Sequence, residues 1–159
     1  EYTAGLNTGF SWKNFDFSMQ WTGAWNVDRM LDEFRRPLGD TNEKGLLLYQ
    51  YDTTWRSSAD TFTAKFPRTS SLHASNNYAG SDLYLINASY LRLKSVEIGY
   101  NFNFPFMKKL KMDNCRLYVN GYNLITITGF KWGDPESRQS SRPNYPLTRV
   151  FNIGLKLGF

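Results

Sequence analysis

Few residues in this sequence have the types and spacing that catalysis or metal binding needs. The 159-residue chain has one histidine, His73, and one cysteine, Cys115, and neither has a second such residue near it. A single cysteine excludes an internal disulfide and a multi-cysteine metal site. The carboxylates Asp134 and Glu136 stand close together, but in a Gly/Pro segment without a histidine or cysteine partner. We therefore predict no catalytic residue, no metal site and no cofactor, and assign this carboxylate pair to hydrogen bonding at a loop end.

The positive charge does not indicate a nucleic-acid-binding protein. The formal net charge is +5, and the only dense basic stretch holds Lys108, Lys109 and Lys111. Nucleic-acid binding requires a wider basic face than one such stretch supplies. We interpret these lysines as a solvated turn and expect no nucleic-acid partner.

Two-residue alternation of side chains is the main structural signal. It runs through residues 2–12 and 15–26, and the two-residue gap between them predicts an antiparallel hairpin. Each arm is close to the ~9–11 residues with which a tilted strand crosses a bilayer. The bulky side chains of one face of the second arm are Phe15, Phe17, Met19, Trp21 and Trp25.

Aromatic residues stand at both ends of this hairpin. Trp12 and Phe15 flank the turn, whereas Tyr2 and Trp25 lie at the far ends. Aromatic girdles at two membrane–water interfaces have this arrangement. We therefore predict that Trp12, Phe15, Trp21 and Trp25 face lipid or belong to such a girdle. A mean hydropathy of −0.52 is compatible with this, because strands of a membrane barrel alternate lipid-facing and interior residues.

The remaining chain holds three more predicted strands and two long connections. The strands are predicted at 89–104, 115–128 and 149–159, and the connections at 27–88 and 129–148. Antiparallel strands alternate ends, so both long connections lie at one end, like the extracellular loops of outer-membrane barrels.

The face pattern is clear in one of these strands and open in another. In 89–104, Val96 and Ile98 share a face, which Arg92 and Lys94 continue beyond its apolar part. For 115–128 the sequence does not decide which face points outward.

Three stretches closely resemble the C-terminal end of SusC/RagA-type TonB-dependent transporters of Bacteroidota. They are "NASYLRLKSVEIGYNF" (87–102), "RLYVNGYNLITITGFKWGDPE" (116–136) and "YPLTRVFNIGLKLGF" (145–159). In addition, "SWKNFDFSMQWTG" (11–23) is similar to the tyrosine-lysine-asparagine-phenylalanine-aspartate hairpin of that family, with Trp12 where tyrosine is more common. The resemblance covers nearly the whole chain and is weakest across 30–80.

The resemblance implies an all-β fold, an antiparallel transmembrane β-barrel segment with long extracellular loops. The chain would supply about five C-terminal strands of a barrel of about 22 strands. The plug domain, and the N-terminal part that contacts TonB, would lie outside this chain. We accordingly expect residues 1–159 to be one part of a single barrel domain.

The resemblance also implies a function, which is not enzymatic. Such transporters import oligosaccharides or peptides across the bacterial outer membrane, and a SusD-like lipoprotein closes their outer mouth as a lid. The expected partners are therefore the remainder of the transporter, this lipoprotein, TonB and outer-membrane lipid. The sequence leaves open whether a sugar or a peptide is carried.

Three sets of site residues follow. The final strand fits the C-terminal pattern that barrel-assembly machinery reads, with Asn152, Gly154, Leu157 and Phe159 as the assembly signal. Arg92 and Lys94, at the end of an outward face, are predicted to contact lipopolysaccharide phosphates. Aromatic residues in or beside the loops either contact a ligand, or pack the loops together or against the lid protein, and the sequence leaves both open; they are Trp55, Tyr78, Tyr84, Trp132 and Tyr145.

Two other architectures compete with this interpretation. A secreted β-sandwich that binds carbohydrate would bury its apolar faces in a dry core and carry loops at both ends. A self-contained barrel of about eight strands would need more strands than the five that the pattern gives.

Overall fold

A computed structural model of the chain describes residues 1–35, 47–71, 76–103, 105, 111–137 and 147–159. The strands are β1 (Tyr2–Trp12), β2 (Phe15–Trp25), β3 (Asp28–Met30), β4 (Leu85–Asn87), β5 (Tyr90–Phe102), β6 (Asn114–Thr128) and β7 (Val150–Gly158). The helices described are α1 (Leu48–Thr53) and short 3-10 helices at Asp32–Arg35, Ser58–Asp60, Asn76–Tyr78 and Asp82–Tyr84. None of the helices in the described ranges is long and apolar enough to cross a membrane.

The chain divides into two compact units. The first contains Glu1–Val27, Ala88–Ser137 and the C-terminal residues from 147, and the second lies within Asp28–Asn87. The first unit is a five-stranded antiparallel sheet in the order β1-β2-β5-β6-β7. The predicted all-β, antiparallel fold class is confirmed, and the five long strands lie within two residues of the bounds that the sequence suggests.

The register of this sheet separates one apolar face from one polar face. Residues of β2 at odd positions pair with apolar residues of β1 and β5, except that Met19 lies opposite Thr8, and the separation continues through β6 to β7. The bulky members of the apolar face are Tyr2, Leu6, Phe10, Trp12, Phe15, Phe17, Met19, Trp21, Trp25, Leu91, Leu93, Val96, Ile98, Tyr100, Phe102, Leu117, Val119, Ile125, Ile127, Phe151, Ile153, Leu155 and Leu157. Period-two alternation produces this result because successive side chains of a strand point to opposite faces.

A β-bulge at Lys94 interrupts the alternation in β5. The consecutive residues Gln20 and Trp21 of β2 pair with Ser95 and Leu93, so Lys94 has no opposite residue on that strand. An extra residue of this kind bends the strand and reverses the faces of the residues beyond it.

Because of the bulge, Arg92 lies on a different face of β5 from the one that the sequence pattern predicts. The sequence pattern places Arg92 on the same face as Val96 and Ile98, and this prediction is wrong. Arg92 instead pairs with Thr22 and Thr126 on the polar face. Strict alternation fails here because the inserted residue shifts the parity of the strand by one.

The register also assigns the face of β6 that the sequence leaves open. Val119 pairs with Ile98 of β5 and with Ile153 of β7, and farther along Ile125 pairs with Leu93. The aliphatic residues of β6 at odd positions therefore belong to the apolar face.

The second unit is a small, loop-rich assembly around a few aromatic rings. Its strands β3 and β4 form a two-stranded antiparallel sheet. Phe66 and Tyr84 are buried, and their rings stack with centroids 5.8 Å apart. Leu31 is buried as well, and its amide donates to the Tyr84 carbonyl. Among the described residues of this unit, apolar burial therefore depends on very few side chains.

Candidate lipid-facing surface and loop-anchoring site

Each of the five strands has exposed large side chains on the apolar face, although Leu93 of β5 is buried, with 8% exposure. At one edge, Leu6 and Phe10 of β1 are more than half exposed, and at the other, Ile153 of β7 is 78% exposed. An apolar surface of this extent is far larger than a monomeric soluble protein usually presents to water. Such a surface is suited to contact with lipid or with another apolar partner.

The predicted aromatic girdle residues lie on this face. Trp12 pairs with Phe15 beside the turn, and Tyr2 pairs with Trp25 at the opposite end of the hairpin. Trp21 lies between the two ends of β2, opposite Leu6. The arrangement therefore has the geometry of a girdle, and contact of these residues with lipid remains a prediction.

The polar face carries an ion-paired network centred on Arg116 of β6. The Arg116 guanidinium donates to both carboxylate oxygens of Asp16 on β2, with Nε 3.1 Å from Oδ2, and its Nη2 lies 2.7 Å from Glu97 Oε1 on β5. Three strands are thus joined through one side chain. A Cβ at Gly99 would lie 2.6 Å from Arg116 Nε and from Asp16 Oδ2, so glycine leaves the space in which the guanidinium crosses β5.

The same network reaches the final strand through asparagines. Asn120 donates to Glu97 Oε2 (3.3 Å), and Asn152 of β7 donates to Asn120 Oδ1 (2.9 Å). Asn152, which the sequence assigns to the assembly signal, therefore also has a role in joining β7 to the sheet.

Gly154, a second residue of the predicted assembly signal, has a steric role. A Cβ added at Gly154 would meet the aromatic ring of Tyr118, with Cε1 at 2.7 Å, because the ring lies across this glycine. Leu157 belongs to the apolar face opposite Cys115, and Phe159 follows β7 as an exposed side chain. Recognition of these residues by assembly machinery remains a prediction.

Gly154→Ala is expected to destabilise the protein by about 1–3 kcal/mol, because the new methyl group forces the Tyr118 ring out of its position. Gly158→Ala is the matched control in the same strand and on the same face, since its Cβ would come no closer than 3.4 Å to Asn114 Cβ. Unfolding of both variants in detergent or lipid measures the difference. Equal stability of the two variants would contradict the proposed ring contact.

A second ionic cluster joins the strand β5 to the segment that follows β6. Arg92 Nη2 lies 2.9 Å from both oxygens of Asp134, and Nη1 lies 2.6 Å from Glu136 Oε2. The remaining nitrogen, Nε, donates to Thr126 Oγ1 at 3.0 Å. Lys94 Nζ contacts both Glu136 oxygens at 2.9 Å. The two carboxylates thus neutralise two cations, and we name these four charged residues the Arg92 cluster.

The predicted contact of Arg92 and Lys94 with lipopolysaccharide does not fit this geometry. Arg92 is 2% exposed, and all three guanidinium nitrogens have partners within the sheet and the following segment. Lys94 is more exposed but binds Glu136. A buried cation with two carboxylate partners is not available to a surface phosphate, so this assignment is wrong for Arg92.

Two of the candidate loop aromatics, Tyr84 and Tyr78, have surroundings that indicate a packing role. Tyr84 is 2% exposed and its hydroxyl donates to the Asn77 carbonyl, so it supports the packing of the second unit and is not a ligand platform. The Tyr78 hydroxyl binds the backbone of Ser70 at 2.7 Å. Both residues therefore favour the packing interpretation over ligand contact.

The surroundings of Trp55 and Trp132 are compatible with either interpretation. Trp55 is half-buried, and its amide donates to the Phe66 carbonyl. Trp132 is half-buried beside Phe130, with ring centroids 6.5 Å apart. Tyr145 lies outside the described residues.

The Arg92 cluster is the site that sequence reasoning did not find. The partners are 42 and 44 residues apart, and the bulge that brings Arg92 to the polar face leaves no mark in the hydrophobic pattern. The one available signal is the pair of carboxylates around Pro135. Their assignment to a loop end is partly correct, because Asp134 Oδ1 also accepts from the Glu136 amide at 2.8 Å.

Comparison with curated proteins finds relatives along the whole chain. It is 28% identical over 176 residues to TonB-dependent receptor P3 of Formosa agariphila, covering 100% of this chain and 16% of that receptor. It is also 28% identical over 157 residues to TonB-dependent receptor SusC of Bacteroides thetaiotaomicron, covering 98% of this chain and 15% of SusC. The chain therefore spans about a sixth of the length of these relatives. No protein-family model matches it.

Comparison with solved structures finds chains whose fold is similar to that of this protein over almost its whole length. The RagAB peptide importer in its "open-open" state is similar with a TM-score of 0.72 and 22% identity, and in its "closed-closed" state with a TM-score of 0.71 and 22% identity. Each match covers 99% of this chain and 17% of the matched chain. The chain is thus similar in sequence, over its whole length, to SusC-type TonB-dependent receptors, and its fold is similar to that of a segment of the RagAB importer.

Proposed function

We propose that this chain forms part of the wall of a TonB-dependent importer in the bacterial outer membrane. The observation that supports this most directly is the apolar face, which is exposed over five strands while the opposite face is polar and ion-paired. Lipid would cover the apolar face, and water in the barrel interior would solvate the polar face. In this arrangement β7 pairs with a further strand to close the barrel, and the long connections after β2 and β6 are extracellular loops.

The two-faced sheet argues against the β-sandwich alternative. A sandwich covers the apolar face of each sheet with the apolar face of another, at a spacing of about 10 Å. On the inner strand β6, large side chains of the apolar face such as Ile125 and Ile127 are instead 46% and 59% exposed. A lipid-facing wall accounts for this exposure without a second layer.

The proposed importer works with a SusD-like lipoprotein lid and carries oligosaccharides or peptides. This part of the proposal draws on the relatives, which are named SusC and the RagAB peptide importer. None of these names is that of an enzyme. Coupling to TonB would belong to parts of the importer beyond this chain.

The experiment that tests this function is peptide mapping with intact-mass measurement on the native species that carries this sequence. The outer-membrane fraction is expected to contain it in a chain several times longer than 159 residues, together with a co-purifying lipoprotein. Recovery as a free 159-residue species in the soluble fraction would contradict the importer and favour the secreted module.

Deletion of Phe159 is expected to lower the amount of folded protein in the outer membrane, because the proposed assembly signal ends on this aromatic residue. The measurement is the heat-modifiable fraction on gels of outer-membrane preparations. Deleting exposed Phe62 in the second unit is the matched control, since it removes an aromatic residue of similar exposure from outside the sheet. Normal assembly of the Phe159 deletion would refute the signal.

A further inference from the structure

We propose that Arg92 is a positioning residue that clamps the segment 129–137 to the polar face of the sheet. We name 129–137 the clamped segment. This inference concerns the fold of the extracellular end of β5 and β6, and it can be tested without measuring uptake. It would therefore stand or fall separately from the importer function.

The backbone conformation of the clamped segment places its two carboxylates near Arg92. Gly133 has φ +134°, a conformation that side-chain-bearing residues rarely adopt. Pro135 fixes its own backbone angle between the two acidic residues and is buried. The Asp134 side chain accepts from the Glu136 amide, and the Asp134 carbonyl accepts from the Ser137 amide at 3.2 Å. These local bonds hold both carboxylates on the side that faces Arg92.

The beginning of the segment is attached separately. The Phe130 amide donates to Thr128 Oγ1 at 3.1 Å, and Thr128 Oγ1 donates to the Ser89 carbonyl at 2.8 Å. The Phe130 side chain is 6% exposed. The segment is thus held at both ends, and between the two attachments lie exposed Lys131 and half-buried Trp132.

Arg92 is the residue on which the second attachment depends. Its Nη2 contacts both oxygens of Asp134, its Nη1 makes the shorter of the two cation contacts to Glu136, and the residue is almost fully buried. Lys94 contacts Glu136 only and is about one-third exposed, so it contributes less. Removing Arg92 leaves two carboxylates facing a poorly solvated surface, which favours release of the segment. Release would displace Trp132, which is one of the candidate ligand contacts.

Limited trypsin digestion of the native protein in detergent tests the clamp, with cleavage after Lys131 followed by peptide mapping. Arg92→Met is expected to accelerate this cleavage by about tenfold or more, because proteolysis follows the population of the opened segment. Arg92→Lys should give an intermediate rate, since one ammonium group cannot bind both carboxylates and Thr126 together. Lys94→Met should have a smaller effect than Arg92→Met.

Arg116→Met is the matched control, because Arg116 is another arginine with two carboxylate partners on the same face, although it is more exposed than Arg92. It should leave cleavage after Lys131 unchanged if the effect is local. An unchanged rate in Arg92→Met, or an equal acceleration in Arg116→Met, would overturn the proposal. If Arg92→Met does not fold, Asp134→Asn replaces it. This substitution weakens the contact between Arg92 and the clamped segment by removing the negative charge of Asp134. In that case a several-fold acceleration supports the clamp, and a wild-type rate refutes it.

Discussion

Deletion of Lys94 is expected to abolish or strongly reduce the folded form of this protein. The bulge at Lys94 is the feature that turns Arg92 to the polar face, while Val96 and Ile98 stay on the apolar face. Without the extra residue, one of the two parts of β5 must present its side chains to the wrong side. If the N-terminal part turns, Arg92 moves to the apolar face and leaves Asp134 and Glu136 without its guanidinium.

The expected cost of this deletion combines two effects. Removing one partner from a buried ion pair costs about 3–5 kcal/mol. An arginine on the lipid face of a barrel costs up to about 2–4 kcal/mol at mid-membrane and less near an interface. Their sum is comparable with the whole stability of many domains, about 5–15 kcal/mol.

Lys94→Ala is the matched control for the deletion. It retains the number of residues in β5, and therefore the bulge, and removes only the contact with Glu136. Because this ion pair is partly exposed, its loss should cost at most about 1 kcal/mol. The amount of folded protein in membranes and its unfolding in lipid distinguish the two variants. A deletion variant as stable as Lys94→Ala would show that the bulge is dispensable.

Trp21→Arg is expected to destabilise the membrane-inserted protein by about 2–4 kcal/mol, provided that Trp21 lies near the middle of the bilayer. Trp21 belongs to the apolar face, between Leu6 of β1 and Leu93 of β5, and lies away from both aromatic ends of the hairpin. A guanidinium at this place would be surrounded by lipid and aliphatic side chains, which offer it no hydrogen-bond acceptor.

Gln20→Arg is the matched control for Trp21→Arg. It adds the same side chain one residue away in β2, but on the polar face, where Gln20 pairs with Asn7 and Ser95. The free energy of unfolding in lipid should change little for this variant. Equal effects of the two substitutions would mean that the apolar face is not in the membrane, and the proposed barrel wall would then be wrong.

Alternation in the sequence was sufficient to predict the five long strands of this protein, but not the short strands β3 and β4. Strand positions depend on local periodicity, and a long run such as Phe15–Trp25 makes the period-two signal strong. The C-terminal stretches were similarly sufficient to predict the similarity to SusC-type receptors, which the comparison finds at 28% identity over nearly the whole chain. The antiparallel all-β class and the kinship with SusC-type receptors were therefore predictable from the residues alone.

The site around Arg92 was decided only by the tertiary structure. A bulge adds one residue to one strand of a pair, and its effect appears only when the partner strand is in place. The contact of Arg92 with Asp134 joins residues 42 positions apart, and no local pattern records it. In the same way, Tyr84 looks like a loop aromatic in the sequence but is buried against Phe66 in the fold. Periodicity reports which face a side chain takes within its own strand, whereas its partners and its burial depend on residues that are distant in sequence and adjacent only after folding.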